Sequence, residues 1–205
     1  MPKILVQDCF TFDDFCFLVK EGQKADLIDG VIYMASPDSL NSYRLSKWLI
    51  SITDDYVTEL DLGEIFGIRI AFRLDLRQSP EPDIGFVSKS RLHLAREGYF
   101  DGPPDAAFEI VSPESIERDY FKKRLQYETY GVREYWIIDQ LEESVTLLRL
   151  NKRGKYREVS PKDGILSSEA IDGFWLDPNW LWQSPRPRKA KILKQLLESK
   201  QQEES

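Results

Sequence analysis

Histidine and cysteine are scarce in this sequence, which has one histidine, His93, and two cysteines, Cys9 and Cys16. Two thiols without a cluster of histidines form neither a zinc site nor a disulfide framework. We therefore expect both cysteines to be reduced, buried thiols. His93 falls between the acidic residues Asp83 and Glu109 in the chain and is expected at the surface rather than on a metal.

Long apolar runs are also absent. No run approaches the roughly 18 residues that predict a membrane-spanning helix, and the N-terminus lacks the long apolar region of a secretory signal. These absences predict a soluble, cytoplasmic protein with no membrane contact. The chain has 205 residues, of which 41% are hydrophobic and 12% aromatic, and this suffices for one domain with a sizeable core.

Positive charge is in deficit, because 28 lysines and arginines face 35 aspartates and glutamates, a net charge of −7. Affinity for nucleic acid comes largely from basic residues that displace phosphate counterions, so the acidic balance argues against a broad DNA-coating surface. A local basic cluster remains compatible with a nuclease. The sequence offers one such cluster, although a solvated helix face is favoured over phosphate contact for most of its members: Arg118, Lys122, Lys123, Arg124 and Arg133.

The alternation of apolar and polar segments predicts one α/β domain over residues 1–183, with a central mixed sheet flanked by helices and additional N-terminal and C-terminal hairpins. Residues 184–205 form a charged tail that is expected to be partly helical or loosely ordered. A capping box from Thr11 to Asp14 opens the first helix. Other helices are predicted over residues 39–60, 88–96 and 113–130, and strands or hairpins over 26–35, 65–76, 83–87, 106–112, 134–139 and 145–159.

Two acidic residues stand at the edge of, or within, predicted buried strands. Pro80 and Pro82 hold the chain extended just before Asp83, at the mouth of a strand. Glu109 lies inside an apolar run, where a carboxylate is costly unless it is paired, hydrogen-bonded or bound to a metal. If the two strands are neighbours, both carboxylates and a substrate phosphate would share one Mg²⁺, which supports attack by an activated water on a phosphodiester.

The helix that follows Glu109 carries a polar face composed of Asp119, Lys123, Tyr127 and Tyr130. Lys123 on this face would orient the attacking water or stabilise the transition state. The spacing leaves a structural alternative open, in which Asp119 and Lys123 form an ion pair one turn apart and Tyr127 belongs to the core. Lys122 is rotated from Lys123 by about 100°, so Lys123 is the candidate.

Three segments, residues 81–87, 108–115 and 118–139, together resemble the Uma2 or DUF820 family, which is abundant in cyanobacteria. The resemblance covers roughly residues 10–182 of this chain. That family is similar to restriction endonucleases of the PD-(D/E)XK superfamily, which implies a mixed sheet flanked by helices and a metal-dependent nuclease site. In the family the lysine of the motif has migrated to the next helix, and Val111 here occupies its usual position.

The resemblance implies that Asp83 and Glu109 are metal ligands for Mg²⁺ or Mn²⁺ and that Lys123 is the migrated lysine. Asp26 takes the place of a family glutamate, which is a departure because the shorter acid reaches less far. A second departure is the start of the helix after residue 37, where many members carry a histidine and this chain has Asn41, Ser42 and Tyr43.

These observations predict a metal-dependent endonuclease that acts on DNA, with Asp83, Glu109 and Lys123 as catalytic residues and Asp26, Asp119 and Tyr127 as additional candidates. A fold retained for DNA or protein binding without catalysis is the alternative. A glycosidase with two carboxylates is a third interpretation, although it would not need the lysine. The oligomeric state is left open, although many nucleases of this superfamily are homodimers because two strands must be cut.

Overall fold

The computed structural model of the protein describes residues 4–5, 9–67 and 69–203. Its helices are α1 Phe12–Leu18, α2 Leu40–Glu59, α3 Arg124–Thr129, α4 Asn179–Trp182 and α5 Lys189–Glu203, with a 3₁₀-helix at Lys89–Leu94 and a π-helical segment at Arg118–Lys123. Its strands are β1 Ile4–Leu5, β2 Ala25–Ile28, β3 Val31–Met34, β4 Gly63–Gly67, β5 Ala71–Arg73, β6 Ile84–Ser88, β7 Ala95–Arg96, β8 Tyr99–Asp101, β9 Ala106–Val111, β10 Glu134–Asp139, β11 Ser144–Leu150, β12 Tyr156–Glu158, β13 Leu166–Ser167 and β14 Trp175–Leu176. Among the residues so described, no helix has the length and hydropathy needed to cross a membrane.

Six strands form the central sheet, in the order β12-β11-β10-β9-β6-β4. The neighbours β9 and β10 are parallel, and the π-helical segment and α3 lie between them in the chain. The other neighbouring pairs are antiparallel. The predicted mixed sheet with a parallel crossover is therefore confirmed.

The first predicted hairpin is confirmed as the antiparallel pair β2 and β3. Its turn residues Asp29 and Gly30 have positive φ values of 52° and 72°, the conformation that a two-residue type I′ turn requires. The strand or hairpin predicted over residues 65–76 is instead divided between two sheets. β4 pairs with β6 in the central sheet and β5 with β8 in a smaller one, because the chain turns at Arg69, whose φ is 77°.

Alternate residues of β9 face opposite sides of the central sheet. Phe108 and Ile110 join the main core, which also contains apolar residues of α2 and of the C-terminal segment. Ala107 and Val111 join a second core with Tyr127 of α3. Glu109 shares this second face, because its carboxylate accepts a hydrogen bond from the Tyr127 hydroxyl.

The helix predicted over residues 113–130 begins later than expected. Ser115 closes a turn instead, because its backbone N–H donates to the carbonyl of Ser112 at 3.0 Å and its hydroxyl accepts from the Ser112 N–H at 2.9 Å. The π-helical segment Arg118–Lys123 then leads directly into α3. Such π-helical turns are wider than an α-helix and are frequent at functional sites.

Both cysteines are free, as predicted, but both are exposed, so the prediction that they are buried is wrong. Cys16 lies on α1, whose buried side chains are Phe12 and Phe15. The short helix covers the small N-terminal sheet with these two aromatic rings, and the thiol is left on the solvent side.

The C-terminal helix α5 is packed against the rest of the structure. Ile192 and Leu196, one turn apart, are 2% and 0% exposed and belong to the main core. The Trp48 indole of α2 also donates a hydrogen bond to the carbonyl of Pro187 at 2.9 Å. The loose attachment expected for this part of the tail therefore does not hold for α5.

A conservative truncation in α5 tests this packing. We expect Ile192→Val to lower the free energy of unfolding by roughly 1 kcal/mol, because it removes one methylene group from a filled core. Urea denaturation followed by circular dichroism measures the change. Gln195→Ala, on the exposed side of the same helix, should leave stability nearly unaltered, and equal effects of the two substitutions would contradict the packing.

Candidate active site

Asp83 lies directly before β6, next to Glu109 on the neighbouring strand β9. The antiparallel register of β6 and β9 ends at the pair Ile84 and Phe108, and continuing it by one residue sets Asp83 opposite Glu109. The Asp83 Oδ2 atom accepts a hydrogen bond from the backbone N–H of Ile110 at 2.7 Å. This bond orients the Asp83 carboxylate toward the strand that carries Glu109.

The two oxygen atoms of Glu109 have different surroundings. Oε1 accepts hydrogen bonds from Lys123 Nζ at 2.7 Å and from the Tyr127 hydroxyl at 2.8 Å. No hydrogen bond to Oε2 is found among the described residues, and Glu109 lines a cavity of the protein. Burial raises the pKa of Glu109 to about 7, although the charge of Lys123 opposes this shift.

Lys123 is enclosed between two carboxylates. Its side chain is 1% exposed, and Nζ lies 2.7 Å from Glu109 Oε1 and 3.0 Å from Asp26 Oδ1. It pairs with these residues instead of Asp119, so the ion pair one turn apart is not formed. Lys122 faces away from this site and donates a hydrogen bond to the Tyr33 hydroxyl at 3.0 Å, as helical phase predicted.

Asp26 joins the site through the cations around it. Its Oδ2 atom lies 3.2 Å from Arg118 Nε, and its Oδ1 accepts a hydrogen bond from the backbone N–H of Glu81 at 2.9 Å. Burial by itself would raise the pKa of Asp26, but the neighbouring charges of Lys123 and Arg118 outweigh burial and lower it. Asp26 is therefore a buried, ionised partner of both basic side chains.

Asp119 and Tyr127 are buried on the same side of the helix as Lys123. Burial raises the pKa of Asp119 to about 6, against the opposing charge of Lys123. The Tyr127 hydroxyl donates to Glu109, so Tyr127 both fills the core and contacts the site. Tyr130, which the sequence placed on this face, instead donates a hydrogen bond to Asp75 outside the site.

A cavity of about 620 Å³ opens beside this site. Five acids and three bases lie on its wall: Asp38, Asp83, Glu109, Glu114, Asp119, Lys24, Arg118 and Lys123. Another part of the wall is polar but uncharged and includes Ser39, Asn41, Ser42, Ser46 and Gln140. Ser42 accepts a hydrogen bond from the Gln140 amide at 2.6 Å. The cavity thus combines buried ion pairs with neutral hydrogen-bonding groups.

A family model described as "Putative restriction endonuclease", that of Uma2, matches residues 11–179. The chain belongs to the Uma2 family. The match confirms the resemblance carried by residues 81–87, 108–115 and 118–139.

The fold of this Uma2 protein is similar to a crystal structure described as "a putative nuclease belonging to DUF820" from Anabaena variabilis ATCC 29413, determined at 1.96 Å resolution. The TM-score is 0.70 at 20% sequence identity, and the alignment covers 84% of this chain and 97% of that chain. The likeness confirms the predicted fold, a central mixed sheet flanked by helices. A comparison with curated proteins gave no match.

Two residues at the candidate site of this Uma2 protein were not predicted from the sequence. Lys24 lies with Nζ 2.5 Å from Asp83 Oδ1. Glu81 is 4% exposed, and its Oε2 accepts a hydrogen bond from the backbone N–H of Ala25 at 3.1 Å. Burial raises the pKa of Glu81 to about 7. Its place two residues before Asp26 could have predicted that Lys24 lies at the same site, because alternate residues of an extended chain share a face.

The predicted basic cluster is only partly assembled. Arg118 and Lys123 line the cavity, whereas Arg124 is exposed. Arg133 immediately precedes β10, at the end of the sheet away from Glu109, and donates to the carbonyl of Glu169 at 3.1 Å. His93 is exposed in the 3₁₀-helix, as expected.

Proposed function

We propose that this Uma2 protein is a metal-dependent endonuclease that hydrolyses phosphodiester bonds in DNA. Asp83 and Glu109 would hold Mg²⁺ or Mn²⁺, and Lys123 would assist the attacking water. The observation that carries the proposal is that Asp83, just before β6, and Glu109 on the neighbouring strand β9 both lie at the wall of a cavity, with Asp83 hydrogen-bonded to the β9 backbone and Lys123 to Glu109.

The oxygen donors present suit a magnesium ion. Mg²⁺ is usually bound by one or two carboxylates together with waters and substrate phosphates, not by a complete protein cage. Within the described part of the chain no three or more His, Cys, Asp or Glu residues are arranged to hold a metal ion, which fits a site that substrate completes. Glu109 Oε2, which accepts no hydrogen bond from the described residues, is available as a ligand for the metal.

Each protein side chain would have a separate task in hydrolysis. A bound divalent cation lowers the pKa of a coordinated water and neutralises charge on the phosphate. Tyr127 and Lys123 both donate to Glu109 Oε1 and so hold Oε2 in one orientation. Lys123 also places a fixed positive charge beside the point of attack, where negative charge develops in the transition state. The negative charges of Asp26 and Asp119 would help to balance the positive charge of Lys123 in this buried environment.

One feature favours the alternative of a non-catalytic binding module. The basic side chains of the cavity are each paired with a carboxylate of the protein: Lys24 with Asp83, Arg118 with Asp26, and Lys123 with Asp26 and Glu109. A net charge of −7 further weakens general attraction to nucleic acid. Such a module would bind DNA or protein without cleaving it.

Cleavage assays and metal titration separate the two functions. Purified protein should cut plasmid, single-stranded or branched DNA in the presence of Mg²⁺ or Mn²⁺, and excess EDTA should abolish cleavage because the water is no longer activated. Calorimetric titration with Mn²⁺ should show binding that Asp83→Asn weakens at least about tenfold. Asp101→Asn, outside the cavity, serves as the matched control. Absence of both cleavage and Asp83-dependent binding would favour the non-catalytic module.

A further inference from the structure

Lys24 forms an ion pair with Asp83, the carboxylate that the proposed function assigns to the metal. Its Nζ lies 2.5 Å from Asp83 Oδ1, and both side chains are largely enclosed, at 20% and 15% exposure. The other oxygen of Asp83 already accepts the N–H of Ile110. A lysine ammonium therefore sits where a divalent cation would have to bind.

Each basic group around this pair is held by a carboxylate of the protein. Three carboxylates face three basic groups through ion pairs of 2.5–3.2 Å: Asp26, Asp83 and Glu109 with Lys24, Arg118 and Lys123. Besides Asp83, the charges of Glu109 and Asp26 also act on Lys24. A divalent cation that binds Asp83 would lie beside the Lys24 ammonium, and like charges close together repel strongly in a partly buried site.

We propose that Lys24 is a built-in counter-ion of Asp83 that competes with the divalent cation and moves to the substrate phosphate when the cation binds. The proposal rests on the proposed function of Asp83 as a metal ligand. The flexible lysine stem carries a compact charge that can exchange between two oxygen partners. A phosphodiester entering the cavity supplies the negative charge that replaces Asp83 as the partner of Lys24.

This exchange would couple metal binding to substrate binding. In the absence of nucleic acid, Lys24 holds Asp83 and lowers the affinity for the metal. With a phosphodiester present, Lys24 has a second partner, and the metal meets less competition. By linkage, each ligand then strengthens binding of the other.

Removing the lysine charge tests the competition directly. In calorimetric titration with Mn²⁺ alone, Lys24→Met should bind the metal about tenfold more tightly than the natural chain, within the usual range of coupling between binding events. Lys24→Arg keeps the charge and should not gain affinity. Lys122→Met removes an equal charge from the neighbouring surface, where Lys122 contacts Tyr33, and should leave the affinity unaltered.

A second measurement uses the natural chain, so that it does not depend on the stability of a variant. Mn²⁺ should increase acylation of Lys24 by an amine-reactive acylating reagent, because release from Asp83 frees the Lys24 nitrogen. Mass spectrometry measures the extent of acylation. Lys122 should react equally with and without the metal.

The outcomes distinguish the two proposals. If the natural chain binds Mn²⁺ but Lys24→Met binds no tighter, or if Lys24 acylation does not respond to Mn²⁺, Lys24 does not compete for Asp83. If neither the natural chain nor Lys24→Met binds Mn²⁺ and no DNA is cut, the proposed metal-dependent function itself is wrong.

Discussion

Glu109→Gln is expected to reduce DNA cleavage by at least about a hundredfold, the loss seen when one group that stabilises a transition state is removed. Glutamine keeps the size of the side chain but has no negative charge and only one acceptor oxygen. Lys123 and Tyr127 would still have an acceptor in place of Oε1, whereas the oxygen that faces the proposed metal would be lost. Plasmid nicking with Mg²⁺ or Mn²⁺, measured as an initial rate, gives the ratio.

Glu134→Gln is the matched control for this substitution. Glu134 is also fully buried, lies on the parallel neighbour β10, and is paired with Arg149 at 2.9 Å. It lies nearer the other end of the sheet and does not line the cavity. A folded Glu134→Gln protein should retain cleavage within a few-fold. Equal activity of the Glu109→Gln and natural proteins would remove Glu109 from the proposed site.

Lys123→Met is expected to lower the free energy of unfolding by about 3–5 kcal/mol, the cost of removing one partner of a buried ion pair. The substitution leaves the carboxylates of Asp26 and Glu109, both 2% exposed, without the ammonium that lies between them. Arg118 would still pair with Asp26, but Glu109 would keep only the Tyr127 hydroxyl as a donor. Urea unfolding in metal-free buffer measures the difference.

Lys122→Met provides the control on the same helix. The Lys122 side chain is 36% exposed, and its ion pair with Glu117 is 3.5 Å long, a type of surface contact worth about 0–1 kcal/mol. Its loss should therefore alter stability by less than about 1 kcal/mol. If the two lysine substitutions destabilise the protein equally, Lys123 does not form the buried pairs that the structure describes.

Local elements of the fold followed closely from local sequence signals. Thr11 and Asp14 form the predicted capping box of α1, and Asp29 and Gly30 form the predicted hairpin turn. Such signals act over a few residues, because backbone conformation and capping depend on near neighbours. The helix after Ser112 begins later than predicted, because a turn at Ser115 uses the same local hydrogen-bonding groups.

The candidate site was predictable in part, because some of its residues carry signals within their own segments. Burial of a carboxylate in an apolar strand identified Glu109, and the neighbouring prolines identified Asp83. Lys24 was not identified, because its partner Asp83 lies 59 residues away in the chain. The pairing depends on how β2 is packed beside the start of β6, and periodicity within either segment carries no information about that distance.

The sequence by itself determined the family, most of the strands and helices around the candidate site, and the helix face that carries Lys123 rather than Lys122, since these depend on motifs and on helical phase. Only the tertiary structure decided that Lys123 pairs with Asp26 and Glu109 rather than with Asp119, that Lys24 covers Asp83, and that α5 is packed into the core. The physical reason is that a buried charge takes whichever opposite charge the packing of distant segments brings within reach. The geometry of the ion pairs is therefore a property of the assembled sheet and helices.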